Sequence, residues 1–156
     1  MSTVIGVFDD KESAESALRE IEDLGFTEEE ISLIAKDDGE DSPYMDQNLA
    51  DGAATGGAIG GLAGIAASLG ALTIPGIGPI LAAGPIAAGL TGVAAGGIAG
   101  SLVDMGIPRE RGDYYENEVK SGKILAAVDL MDADEDEIED IASIFRDNGA
   151  NDVEIH

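Results

Sequence analysis

"GGAIGGLAGIAASLGALTIPGIGPILAAGPIAAGLTGVAAGGIAG" (Gly56–Gly100) contains no charged residue. The 156-residue chain around it carries 32 Asp and Glu against 8 Lys and Arg, a formal net charge of −24. How a strongly acidic chain accommodates this stretch decides the fold.

Small residues recur along it at every fourth position. Gly52, Gly56, Gly60 and Gly64 form one row, which Ser68 continues. Gly84, Ala88, Gly92, Gly96 and Gly100 form a second. On a helix this spacing stacks the small residues on one face and lets another backbone approach closely. Ile59, Leu62, Ile65 and Leu69 fall on the other face of the first arm, and Ile86, Leu90 and Val93 supply the apolar face of the second. Pro75, Pro79 and Pro85 interrupt any helix between the rows. The pattern predicts a glycine-zipper helical hairpin over residues 52–104. Each Gly costs an isolated helix about 1 kcal/mol relative to Ala, so tight packing must offset it. The periodicity argues against a disordered low-complexity segment.

The flanks read differently. Thr3–Phe8 is a β-branched and aromatic run that suits a buried strand. Asp9 or Asp10 can cap a following helix, with Glu12 and Glu15 near its positive end. Ala14, Ala17, Leu18, Ile21 and Leu24 recur at helical spacing up to Gly25, and Ile31–Lys36 is a second strand. The other flank repeats the plan: a strand at Lys123–Leu130, a helix carrying Ile138, Ile141, Ala142 and Phe145 on one face, and an alternating strand in Asn151–His156. Two such units predict an α+β chain, a ferredoxin-like β-α-β-β-α-β sandwich split by the inserted hairpin. Its parts are a first half at 1–38, an acidic linker at 39–51, the hairpin at 52–104, and a helix plus second half at 105–156. The continuous apolar runs Val4–Phe8 and Ile124–Val128 are expected at the centre of the sheet, with "ISLIAK" (Ile31–Lys36) and "VEIH" (Val153–His156) at its edges. A helix is expected after Pro108, with Tyr114, Tyr115 and Val119 facing a core.

"VIGVFDDKESAESALREIEDLGF" (Val4–Phe26), "ISLIAKDD" (Ile31–Asp38) and "MGIPRERGDYYENEVKSGKILAAVDL" (Met105–Leu130) together resemble the heat-induced stress protein YflT family, also described as general stress protein-like domains. The Gly-Ile-Pro step, the Tyr-Tyr pair and the Gly before the third strand carry the resemblance. It implies a stress-linked, non-enzymatic protein in which a Gly-zipper segment between two halves is common. It supplies no catalytic residues.

Charge and composition narrow the partners. A net charge of −24 repels nucleic acid and anionic lipid head groups. Acids spread through helical segments, with Lys scarce, point to a halophilic, salt-adapted surface on which screening removes mutual repulsion. With no cysteine, disulfides and thiolate chemistry are excluded. "MSTVIGVFDD" (Met1–Asp10) reads as a strand and not as a secretory signal, which suggests a cytoplasmic protein. Each arm of the uncharged stretch is long enough to span a bilayer core, but it holds few strongly apolar residues, and its flanks, Asp51 and Asp104, are acidic. The alternative is homo-oligomeric assembly, with hairpins pooling their apolar faces and acidic domains outside. Assembly is favoured, membrane association stays open, and a small-ligand regulatory module is a third possibility by fold analogy.

Site chemistry is sparse. "DADEDE" (Asp132–Glu137) resembles the start of a calcium loop, but Glu137 stands where Gly is needed and Ser143 where the twelfth-position acid is needed. Acids at a helix N-terminus are the expectation there. His156, the single histidine, is expected to lack a partner for acid–base or metal chemistry. The glycine runs lack the Gly-Lys-Ser/Thr of a phosphate loop. No catalytic, metal or cofactor residues are assigned, and the expectation is a non-enzyme whose partner is itself.

Overall fold

Val4, Ile5, Val7 and Phe8 are all buried, which a strand achieves only when both faces of its sheet are covered. The computed structural model describes residues 2–27, 29–37, 70–74, 76–92 and 96–156. It is an α+β architecture. Along the chain run β1 (Ser2–Phe8), α1 (Lys11–Asp23), β2 (Ile31–Lys36), β3 (Gly70–Ile74) and β4 (Gly78–Ala83). Then follow α2 (Pro85–Gly92), α3 (Gly97–Asp104), α4 (Arg109–Lys120), β5 (Ile124–Leu130), α5 (Glu135–Asp147) and β6 (Asp152–Ile155). The strands form one sheet in the order β3-β4-β2-β5-β1-β6, and every neighbouring pair is antiparallel.

The period-2 alternation of strands divides the core into two layers. Val4, Phe8, Leu33, Ala126 and Val128 meet Ala17, Leu18 and Ile21 of α1 and Ile141 and Phe145 of α5 on one face. Ile5, Val7, Ile34, Leu125 and Ala127 meet Ile86 and Leu90 of α2, Ile98 and Leu102 of α3, and Tyr115 and Val119 of α4 on the other. Gly6 belongs to the first layer for a steric reason. A Cβ there would lie 2.7 Å from the Phe145 ring, which packs edge-on against Phe8 with centroids 5.6 Å apart.

Both flanking helices begin and end where their sequences direct. The Asp10 side chain accepts a hydrogen bond from Ser13 N at 2.9 Å and caps α1, and this bond lowers the Asp10 pKa. Asp134 caps α5, accepting from Glu137 N at 3.0 Å, so "DADEDE" is a helix start, with Glu135, Asp136 and Glu137 in the first turn. Gly25 and Gly149 follow the two helices at φ 106° and 88°. As expected, β1 and β5 are central and β6 is an edge. The expectation for Ile31–Lys36 is corrected: β2 is interior, paired with β5 on one side and β4 on the other.

That correction follows from the uncharged stretch. Gly52, Gly56, Ile59, Gly60, Leu62, Gly64, Ile65 and Leu69 lie outside the described residues, as does Val93. From Gly70 onward the stretch is a β-hairpin, where only a proline-interrupted turn between two helical arms was expected, followed by two eight-residue helices in place of one continuous second arm. Two facts about local chemistry explain the difference. Gly76 and Gly78 sit at φ 87° and 95°, so the turn after Ile74 reverses the chain tightly, and Ile77 N donates to Ile74 O at 3.1 Å. Pro79 stands opposite Thr73, a position that needs no N–H toward β3, and its carbonyl accepts from Asp37 N at 3.0 Å on the β2 side. Pro79, which would break a helix, is harmless in this register.

The second glycine row, which suggested helix-on-helix packing, proves to be several different devices. Gly84 is not helical: its φ is 83°, and a Cβ there would overlap the Ile31 carbonyl oxygen of β2. Gly92 closes α2, Gly96 precedes α3, and Gly100 lies half-buried within α3 with its N–H on Gly96 O at 2.8 Å. Close approach occurs instead at Gly89, where a Cβ would meet Ser101 Oγ at 2.6 Å, and at Gly112, where it would meet Ala99 O at 3.0 Å. Ile86 and Leu90 are buried as an apolar face, against the sheet of their own chain. Buried Ser32 of β2 accepts from Ile86 N at 3.1 Å, capping α2, and Ser101 Oγ donates to Ile86 O at 3.2 Å. Among the described residues, no helix is long and apolar enough to cross a membrane.

Candidate functional site

Strand β6 reads Asp-Val-Glu-Ile, with His156 next, so Asp152, Glu154 and His156 share one face by alternation. That face lies under α4, in which Arg111 and Tyr115 are one turn apart and point the same way. Arg111 closes on both acids at once: Nη2 lies 2.6 Å from Asp152 Oδ2, and Nε lies 2.6 Å from Glu154 Oε2. A planar guanidinium suits this two-pronged contact, which an ammonium could not reproduce. The guanidinium also covers the Tyr114 ring, 4.4 Å from its centroid, and lies 5.0 Å from that of Tyr115.

Tyr115 is fully buried, and its hydroxyl is the centre of the cluster. It lies 3.2 Å from Glu154 Oε2, 3.1 Å from His156 Nε2 and 3.4 Å from Arg111 Nη2. Burial pushes the Tyr115 pKa well up, so the hydroxyl stays protonated and donates. His156 therefore has partners, contrary to expectation: Tyr115, and Glu154 Oε2 at 3.3 Å from its Nε2. Burial lowers the His156 pKa from 6.5, against the pull of Glu154, so the ring is neutral at pH 7.

The polar row continues across the sheet. The backbones of His156 and Thr3 exchange hydrogen bonds of 2.9 Å, N–H to carbonyl in both directions. Thr3 in turn stands opposite Asp129 of β5 and donates from Oγ1 to Asp129 Oδ1 at 2.8 Å. Asp129 is buried, and that burial raises its pKa despite the Thr3 bond. Arg111, Tyr115, Asp152, Glu154, His156, Thr3 and Asp129 thus form one network at the β6 end of the α4 face.

Chemically the network is self-satisfied. Arg111 is engaged along both edges by Asp152 and Glu154, and the Tyr115 hydroxyl bridges an acid and an imidazole. Its work is to hold the last strand against α4. Among the described residues, no group of three or more His, Asp or Glu is disposed to hold a metal ion. Arg111, Asp152 and Glu154 were not singled out from sequence, although the signal was present: alternate polar residues on a strand, and Arg and Tyr four apart on a helix. The remaining sequence candidates do not converge on this site. Gly84, Ile86, Leu90, Gly92, Gly96 and Gly100 sit around the β3–β4 end of the sheet, beside α2 and α3. No protein-family model, no curated protein and no solved structure matches this chain.

Proposed function

We propose that this chain is a non-enzymatic, stress-associated structural protein, similar to the YflT family, that assembles with copies of itself in a salt-rich cytoplasm. One observation carries the reading. The charge-free residues from Gly70 to Val103 gather β3, β4, α2 and α3 at one end of the molecule, while the rest of the chain bears the net charge of −24. A molecule with one neutral end and acidic remaining surfaces can meet its own copies at that end alone. Residues 52–69 are equally uncharged in sequence. In this reading the strands β6-β1-β5-β2 with α1 and α5 are a ferredoxin-like core, supported by their 4-1-3-2 order, and β3 to α3 belong to the insert.

The test is particle mass by light scattering in molar KCl, with and without detergent, together with the fraction recovered in membranes. A detergent-independent particle larger than one chain is the expected result. A monomer at every concentration, or recovery only with membranes, would overturn it.

A further inference from the structure

The two outer strands of the sheet are guarded unequally. β6 has four residues, and its acids are locked to Arg111. Among the described residues, nothing shields β3 as edges usually are shielded. It carries no charge and no internal proline, and its register with β4 runs one-to-one from Gly70↔Ala82 to Ile74↔Gly78 without a bulge. Pro79 fixes which backbone groups face outward. Because Pro79 cannot donate, Thr73↔Pro79 is a non-hydrogen-bonded pair, and by alternation so is Ala71↔Leu81. The N–H and C=O groups of Ala71 and Thr73 therefore point away from β4, and among the described residues no strand lies beyond them.

We infer that β3 pairs antiparallel with β3 of a second copy across a twofold axis, joining two six-stranded sheets into one. This rests on the self-assembly reading and names the surface it uses. The occupant follows from electrostatics. A basic partner would be drawn to the acidic faces, whereas an identical copy is repelled everywhere that its own acids meet them. At β3, among the described residues, they do not meet. β4 and α2 beside it are uncharged, and the one charged residue of β2, Lys36, lies two strand spacings inward, roughly 10 Å, about a Debye length at 0.1 M salt. Glu116, which reaches the Gly97 corner near Ile74, is neutralised there: it accepts from Ala99 N at 3.0 Å and pairs with Lys120 at 3.0 Å. A twofold axis makes the contact self-complementary and closed, which gives a dimer or an even-numbered particle.

Thr73→Pro in the full chain tests this directly. It removes one outward N–H and leaves the in-chain ladder intact, since Thr73 donates nothing to β4. Self-association should weaken by about tenfold or more, while Thr73→Val, which keeps the N–H, should associate as the parent does. Hydrogen exchange on the unmodified chain gives an independent reading. The Ala71 and Thr73 amides should be slow when concentrated, and about tenfold faster or more once dilution frees the monomer. An assembled particle indifferent to Thr73→Pro would overturn the edge pairing while leaving self-assembly standing. Protection of these amides that ignores dilution would overturn it too, by showing that residues 38–69 of the same chain cover the edge. A chain monomeric at all concentrations would overturn both readings.

Discussion

At the β6 end of the sheet, polar side chains do the binding: Arg111 grips two acids, and Tyr115 joins an acid to an imidazole. At the β3 end almost nothing polar is available, and cohesion comes from backbone contacts that only glycine permits. Gly84 lies on the Ile31 carbonyl, Gly89 admits Ser101, and Gly112 admits Ala99. The first end is held by directional, charge-dependent bonds, and the second by shape. The two should therefore fail differently, one to changes in charge and pH, the other to added volume.

The largest effect is expected at Gly84. Gly84→Ala meets two penalties, a left-handed φ of 83° and an overlap with β2 backbone that cannot retreat from the sheet. Gly76 provides an internal control. Its φ is 87°, but a Cβ there meets nothing within 4 Å. Gly76→Ala should cost about 1 kcal/mol from backbone strain alone. Gly84→Ala should cost about 3 kcal/mol or more, because over-packing adds to strain. Urea unfolding of the two variants measures the difference. Equal losses would mean that close packing does not hold the charge-free end.

The same contrast explains what could be read in advance. At the acidic ends, local chemistry and tertiary structure agree: Asp10 and Asp134 cap helices, Gly25 and Gly149 end them, and Leu18, Ile21, Ile141 and Phe145 turn inward as their spacing requires. In the charge-free stretch, Ala, Gly, Ile and Leu serve helix and buried strand alike, so periodicity loses its power to discriminate. Gly84 and Gly92 lie eight apart because one fits against β2 and the other ends a helix, not because they share a face. What distinguished the hairpin was the turn through Gly76 and Gly78 with Pro79 at a silent ladder position, which requires knowing which strand lies alongside. The polar latch was half legible. Alternation placed Asp152, Glu154 and His156 together, but nothing local placed Arg111 above them.

Arg111→Met should give the next largest effect, and at the other end. The variant keeps much of the stem's packing on Tyr114 and Tyr115 but leaves Asp152 and Glu154 facing each other without a cation. The three side chains are about 30% exposed, between the surface and buried cases, so a loss of about 1–2 kcal/mol is expected. The damage should be local. Exchange of the β6 amides should quicken, while those of β4 and α2 stay as they were. Uniform quickening would show that the two ends are one cooperative unit.

Asp129→Asn tests the network where it enters the sheet. Burial raises the Asp129 pKa, so the folded state favours the protonated acid, and the charged form is a liability at neutral pH. The sign follows: stability from this group is full below its ordinary value of 3.8 and is lost as pH rises through the folded value. Asn keeps an acceptor for Thr3 Oγ1 without the charge. A melting temperature a few degrees above the parent's is expected at pH 7, with the gain shrinking under acid conditions. A variant less stable than the parent at pH 7 would show that the carboxylate is a favourable member of the network.

The smallest effect, and the most specific to the polar end, is expected from His156→Gln. The imidazole is 11% exposed and lies between the Tyr115 hydroxyl and Glu154, with Arg111 and Asp152 beyond them. Burial lowers its pKa below 6.5 more strongly than Glu154 raises it, so the folded chain binds this proton less readily than the unfolded chain does. The neutral ring's contribution is thus complete above 6.5 and is lost as pH falls through the folded value. Gln offers Tyr115 a neutral partner that does not titrate. The stability difference between parent and variant should therefore be flat above neutrality and move against the parent on acidification, measured by urea unfolding between about pH 5 and 8. Other carboxylates titrate in both proteins and cancel in the difference, as does any response of the charge-free end, which has nothing to protonate. A difference that stayed level throughout that range would mean that His156 takes up its proton as easily in the fold as outside it, and that the latch binds the strand without sensing pH.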